Sequence, residues 1–108
     1  KLEKKDFEIS KQYHTIRDYK AAISSLDNFI SNYPGTPFRE NALYYKFISQ
    51  YEIATNSVPN KKLLRLEGAK ETYSAILRYY PETLFMEDIV EKIEDINKQI
   101  EAINKTNT

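Results

Sequence analysis

The chain has 108 residues, with 16 Lys and Arg side chains against 16 Asp and Glu, 41% apolar residues and no cysteine. This length and composition suit one small domain with a modest core and exclude an intrinsically disordered chain. The lack of cysteine excludes disulfide scaffolds, thiol nucleophiles and cysteine-based zinc sites. A formal net charge of zero gives no drive toward nucleic acid or anionic membranes, so we expect no nucleic-acid partner.

The chain shows no targeting signal of its own. Its first ten residues are charged and lack the apolar segment of a signal peptide. No apolar run approaches the roughly 20 residues that span a bilayer. Because the chain also starts without Met, we expect a fragment of a longer protein, with any targeting segment or membrane anchor outside it.

Helical spacing of apolar residues recurs along the whole chain, whereas strand-type alternation extends over a few residues at most. Only two glycines interrupt the pattern. The sequence therefore predicts an all-α protein of about five antiparallel helices. The predicted helices cover residues 2–15, 19–32, 37–55, 63–80 and 85–104.

Two of the predicted turns share one sequence pattern. Tyr33–Phe38 and Tyr80–Phe85 each place a proline after the tyrosine, which ends a helix, and then a threonine that caps the next helix. The second copy lies 47 residues after the first, and Ala22 and Ala69 keep the same offset. A recurring two-helix unit predicts a helical solenoid, whose units cover each other's apolar faces.

The spacing from alanine to proline resembles the second helix of a tetratricopeptide repeat. In both units, steps of four, three and five residues join the alanine, two bulky residues and the closing proline. The family implies a tetratricopeptide-like solenoid of paired helices. On this resemblance we divide a single domain, residues 1–108, into repeat one at 4–35, repeat two at 36–82 and a capping helix at 83–104.

The second repeat is longer than the standard unit, because extra residues lie between Tyr45 and Ala69. We expect them to lengthen both helices and to leave Asn56–Asn60 as the turn, since proline and asparagine break helices. The last helix carries a continuous isoleucine stripe. We expect its first half to cover the preceding helices, and its far end, Ile100 and Ile103, to extend beyond them as an edge.

The whole arrangement has a more specific likeness. The Tyr-Pro-x-Thr-x-Phe pattern, followed by Ala54–Val58 and the basic segment Lys61–Arg65, resembles the C-terminal repeats of the BamD family, in particular its Bacteroidetes-type members. These are lipoproteins of the bacterial outer-membrane β-barrel assembly machinery. The resemblance covers residues 19–97. It implies a non-enzymatic scaffold at the periplasmic face of the outer membrane, anchored by a lipid outside this fragment.

That resemblance also implies the partners, namely the periplasmic domains of the β-barrel insertase, and it implies no catalytic residue, cofactor or metal. Two alternatives remain open. One is another periplasmic repeat protein, a cell-division coordinator of the CpoB type, which shares the Tyr-Pro-x-Thr/Ser punctuation. The other is a regulatory repeat module attached to a larger enzyme or signalling protein.

In tetratricopeptide repeats, the first helix of each pair lines the inner surface, which is the usual ligand groove. Carried over by register, this predicts a mixed basic and aromatic groove that suits an acidic protein partner, with ordinary surface charges as the alternative. Its residues are Lys4, Phe7, Lys11, His14, Arg39, Leu43, Lys46 and Phe47. Near the inserted turn, Lys61, Lys62 and Arg65 predict a protruding contact surface.

The remaining polar residues do not form a catalytic pattern. His14 is the only histidine, and we interpret it as a solvated residue at a helix end. The carboxylate pairs Glu87–Asp88 and Glu94–Asp95 are interpreted as the solvated face of the last helix. Three tyrosines lie off the repeat-packing positions, which leaves both partner contact and partial burial open: Tyr44, Tyr51 and Tyr79.

Overall fold

Five α-helices joined by short turns make up the part of the protein that the computed structural model describes, residues 2–106. They are α1 (Leu2–Thr15), α2 (Tyr19–Asn32), α3 (Arg39–Thr55), α4 (Pro59–Tyr79) and α5 (Met86–Thr106), and no strand occurs in this range. The predicted all-α, tetratricopeptide-like architecture is confirmed. The ends of the predicted domain, residue 1 and residues 107–108, lie outside the described residues.

The turn between α1 and α2 is closed by a residue in the left-handed conformation, Arg17, whose φ is 64°. Its amide donates to the His14 carbonyl (3.0 Å), and the Asp18 amide donates to the Tyr13 carbonyl (2.9 Å). These two bonds form a Schellman motif, in which glycine is the usual left-handed residue. The Asp18 carboxylate then caps α2 by accepting a hydrogen bond from the Ala21 amide (3.2 Å).

The first Tyr-Pro turn ties α1 to the start of α3. The Thr36 hydroxyl donates to the Glu3 carboxylate on α1 and accepts a hydrogen bond from the Phe38 amide (3.1 Å). The Phe38 ring stacks on Phe7 of α1, with 5.0 Å between the ring centroids. Thr36 thus joins the residues just before α3 to α1.

The second Tyr-Pro turn repeats this junction between α3 and α5. Thr83 donates to the Glu40 carboxylate and accepts a hydrogen bond from the Phe85 amide (3.3 Å). The Phe85 ring stacks on Tyr44 at a centroid distance of 4.0 Å. In both junctions the stacked ring lies one helical turn after the glutamate, so the internal repeat of the sequence is also a repeat of hydrogen bonds and ring contacts.

Three helices begin at positions other than those predicted. α3 begins at Arg39 and α5 at Met86, because a tight turn with i to i+3 hydrogen bonds comes first in each case: the Arg39 amide donates to Thr36 and the Met86 amide to Thr83, both at 3.3 Å. α4 begins at Pro59 instead of residue 63. The expectation of a longer turn is wrong there, because proline at the first helical position gives up no needed N–H.

The core consists of two neighbouring clusters of buried side chains. Ala22 and Ala69, one at the centre of each, are fully buried, as expected of residues that let helices approach closely. Ile30 packs against both clusters. The first cluster comprises Phe7, Ala22, Leu26, Phe29 and Ala42. The second comprises Leu43, Phe47, Ile48, Ala54, Leu66, Ala69, Ile76, Ile89, Ile93 and Ile96.

The isoleucine stripe of α5 faces this second cluster along its whole length. Ile89 and Ile96 are fully buried. Ile100 and Ile103 are partly buried and pack against the same cluster, so the expectation that they extend beyond it is wrong.

Candidate protein-binding surface

The first helices α1, α3 and α5 form a row with α3 in the middle, in contact with both neighbours. We call them the first-helix row. On the α1 side, Tyr45 of α3 is the central residue. The Lys11 ammonium lies 5.8 Å from the centroid of the Tyr45 ring, and the His14 ring lies 5.1 Å from it. This contact is therefore aromatic and cationic.

His14 is half-buried and not the solvated residue expected from the sequence. Its ring also meets Tyr19 edge-on at 5.7 Å. Burial lowers the pKa of His14 below its ordinary value, and the negative charge of Glu52 opposes this effect only in part. Near neutral pH the imidazole is therefore uncharged, and it acts as a packing group between two tyrosines.

On the α5 side, hydrogen bonds between tyrosine and aspartate are added to the ring contacts, which include the Tyr44–Phe85 stack. Tyr44 donates to Asp88 (2.6 Å), and Tyr51 donates to Asp95 (2.5 Å). The two tyrosines lie seven residues apart on α3, and the two aspartates lie seven residues apart on α5. Seven residues make about two helical turns, so the two hydrogen bonds lie one above the other. We call this arrangement the tyrosine–aspartate ladder. Gln99 continues it, since its amide nitrogen donates to Thr55 (3.2 Å).

The hydrogen bonds of the ladder also shift the pKa values of its side chains. Burial and the hydrogen bond to Asp88 raise the pKa of Tyr44 well above its ordinary value, and the same causes, with Asp95 as the acceptor, raise the pKa of Tyr51 to about 12. For Asp88, burial alone would raise the pKa, but hydrogen bonds from Lys92 and Tyr44 outweigh it and lower the value. The phenols are thus fixed as donors and the carboxylates as acceptors.

Within residues 2–106, no group of three or more His, Asp or Glu side chains is placed to hold a metal ion. The polar groups of the row instead bond to one another across helix boundaries. These contacts between helices stiffen the surface that α1, α3 and α5 form.

The structure places three of the predicted groove residues inside the core. Phe7, Leu43 and Phe47 are 4%, 7% and 0% exposed. The expectation that they line an open groove is wrong, because their side chains are already covered by the chain's own packing. Helical register alone does not distinguish these core positions from surface positions on the same helices.

Two basic residues of α3 contact the second helices. Lys46 forms an ion pair with Asp27 of α2, with 2.7 Å between Nζ and Oδ1. The Arg39 guanidinium lies 4.6 Å from the centroid of the Tyr79 ring on α4. Their assignment to an inner groove stays a prediction.

Lys4, Lys11 and His14 remain together on α1. Lys4 is exposed and Lys11 half-buried, and a spacing of seven residues puts the two lysines on one face of the helix. Lys61, Lys62 and Arg65 lie on the first turns of α4 and not in a loop. Arg65 closes the hairpin, because its Nη1 donates to Ser57 Oγ (2.8 Å).

Sequence reasoning missed the ladder. Asp88 and Asp95 were interpreted as solvated, yet both are half-buried and bonded to tyrosines. For Tyr44 and Tyr51, the alternative of partial burial is the one observed. A signal was present, since the seven-residue spacing of the two tyrosines on α3 equals that of the two aspartates on α5.

Comparison with known proteins decides the family. The YfiO family model, described as an outer membrane lipoprotein, matches residues 1–104. The chain belongs to this family. A curated relative, the outer membrane protein assembly factor BamD of Caulobacter vibrioides, is 33% identical over 82 residues, which cover 76% of this chain and 26% of the relative. The chain thus spans about a quarter of that protein's length.

Membership of the YfiO family agrees with the resemblance drawn from the repeats, and it does not favour the CpoB-type or regulatory-module alternatives. The name of the relative describes an assembly factor and not an enzyme. As for the membrane, none of the helices within residues 2–106 combines the length and apolarity needed to cross it.

Proposed function

We propose that this chain is a scaffold segment of a lipid-anchored assembly factor at the periplasmic face of the outer membrane, where it docks the periplasmic domains of the β-barrel insertase and catalyses no reaction. Membership of the YfiO outer membrane lipoprotein family carries the proposal. The name of the curated relative supports it, since that protein is an assembly factor.

The first-helix row is the surface we assign to this docking. Its helices are joined by ring contacts on one side of α3 and by the ladder on the other, so little conformational freedom is lost when a partner binds. Lys4 and Lys11 add positive charge to the exposed face of α1. Such charges speed encounter with an acidic partner surface and orient it.

A double charge reversal on α1 tests this assignment. We expect Lys4→Glu with Lys11→Glu to weaken capture of the purified periplasmic domains of the insertase by about two- to thirtyfold at low salt, since each of the two rim charges contributes about 0.2–1 kcal/mol. The difference from the parent chain should shrink as salt increases. Surface-immobilised binding measurements at two ionic strengths provide the readout.

The matched control is Arg78→Glu, which reverses an exposed charge on the second helix α4 and should leave capture unchanged. Circular dichroism must show that all variants keep the parent helicity. Equal affinity of the parent and the α1 variant would contradict docking on this face. A separate Lys61→Glu, Lys62→Glu variant tests whether the start of α4 adds to the contact.

A further inference from the structure

A cleft opens between α2 and α4, the second helices of the two hairpins. The backbones of these two helices stay apart, and α3 lies beneath the space between them. The cleft has a volume of about 520 Å³, which is within the usual size of ligand pockets. When the two hairpins are aligned by the 47-residue repeat, α4 starts seven residues earlier than α2 does. The first turns of α4 therefore extend past the N-terminal end of α2 and form one wall of the cleft.

The interior of the cleft is mainly apolar. Ile23 of α2 and Ile53 of α3 line it and are only half-buried. Gln50 is the polar residue of its floor, and its amide is already occupied. Its oxygen accepts a hydrogen bond from Thr72 (2.6 Å), and its nitrogen contacts the Gly68 carbonyl at 3.5 Å. The floor is therefore rigid and offers apolar surface to a ligand side chain.

The rim of the cleft is cationic. Arg17, Lys20 and Arg65 line it, with Asp18 as the one acidic residue. The Asp18 carboxylate is occupied in capping α2, whereas Arg65 uses one of its donors on Ser57. None of the three cations forms an ion pair within residues 2–106. The net charge of the rim thus favours an anionic ligand.

Arg17 provides a second, independent observation. The Schellman turn holds this residue at a φ of 64°. This left-handed conformation suits glycine and is unfavourable for a residue with a long side chain such as arginine. The strained backbone thus belongs to a cation at the rim of the cleft. Local strain of this kind is a mark of functional positions.

We propose that the cleft binds an acidic peptide segment, with an apolar side chain seated between Ile23 and Ile53 and carboxylates paired with Arg17, Lys20 and Arg65. The open trench suits an extended chain, because its two walls stand apart along α3. Binding in the cleft is separate from docking on the first-helix row, and a synthetic peptide tests it without the insertase.

The probe is a fluorescein-labelled peptide of alternating glutamate and leucine, with fluorescence anisotropy as the readout. We expect saturable binding that weakens as salt increases. Replacing glutamate by lysine, or leucine by serine, should abolish it. Gly68 lines the cleft, and a Cβ there meets only the Gln50 amide nitrogen, at 3.8 Å. Gly68→Leu should therefore fill the cleft and raise Kd by about tenfold or more.

Gly68→Ala is the matched control for packing, because it improves the helix but leaves the cleft open. We expect it to bind like the parent, and both variants to melt at or above the parent temperature. Arg17→Gly should raise Kd by about two- to fivefold, as expected for one exposed charge, while the melting temperature also rises because the left-handed position is relieved. Lys98→Glu, on the exposed part of α5, should change neither quantity.

Three results would overturn the cleft assignment. One is the absence of saturable binding by the parent protein. Another is equal affinity of the parent and a folded Gly68→Leu variant. The third is binding to vesicles of anionic phospholipid, blocked by Gly68→Leu, without binding of the peptide, which would assign the cleft to a lipid surface instead.

Discussion

The two sides of α3 share the same junction contacts but differ in the contacts beyond the junctions. Each contact with a neighbouring first helix starts from a threonine, Thr36 on one side and Thr83 on the other. Each threonine bonds a glutamate and accepts a hydrogen bond from the amide of the phenylalanine just before the next first helix. Beyond that junction, the α1 side packs a neutral histidine against Tyr45, whereas the α5 side uses the tyrosine–aspartate ladder. A repeat protein can thus keep its junction chemistry and vary the surface between junctions.

The packing beneath both sides gives the largest expected effect. Ala22 and Ala69 are fully buried, so Ala22→Trp and Ala69→Trp should each lower the free energy of unfolding by about 1–3 kcal/mol or more through overpacking. Urea denaturation measures this. A variant that unfolds like the parent would show that the two hairpins do not pack through the same register.

The equivalence of the two junctions comes next. Thr36→Val and Thr83→Val each remove the hydroxyl that accepts a hydrogen bond from the phenylalanine amide two residues later and that donates to a glutamate. We expect each to lose about 1–2 kcal/mol of unfolding free energy. Thermal or urea unfolding of the two variants in parallel tests whether the losses agree. A clear loss at only one threonine would mean that the repeated hydrogen bonds are not energetically equivalent.

Removing one tyrosine hydroxyl on each side of α3 tests whether the two sides differ in their contribution to stability. Tyr51→Phe breaks the bond to Asp95 and should cost about 1 kcal/mol. Tyr45→Phe is the matched control, since within residues 2–106 the Tyr45 hydroxyl makes no hydrogen bond and its ring contacts are retained. We expect less than about 0.5 kcal/mol there. Equal losses would mean that the ladder adds no more stability than ring packing does.

Acid should weaken the α1 side first, and this is the smallest effect. The pKa of His14 is lowered by folding, so the unfolded chain binds a proton more readily, and stability falls as pH drops below about 6.5. The pKa of Asp88 is also lowered, so the stability it provides persists until the pH falls well into the acidic range. Comparing unfolding midpoints of the parent and His14→Gln between pH 8 and pH 5 should show a shallower slope for the variant.

Sequence reasoning succeeded where the pattern is local and periodic. Proline, threonine and the alanine spacing placed the five helices, and the offset between Tyr33 and Tyr80 identified the repeat. The start of α4 was misplaced because Pro59 both breaks a preceding helix and begins a new one. Which role applies depends on the chain around it.

The candidate surface was harder to predict, because a helical register identifies a face but not what covers it. Leu43 and Phe47 were assigned to a groove, yet they pack in the core that α4 and α5 share with α3. Lys46 forms an ion pair with Asp27 on the preceding helix. Contacts of this kind depend on how helices are placed in three dimensions, which a single sequence does not specify.

The central position of α3 has a consequence for folding. This helix touches each of the other four, and its residues belong to both buried clusters. In long repeat arrays, neighbouring units can unravel one after another. Here, loss of α3 would dissolve both clusters at once, so heat and denaturant should melt the chain in one cooperative step, and damage to either hairpin should be felt by the whole molecule.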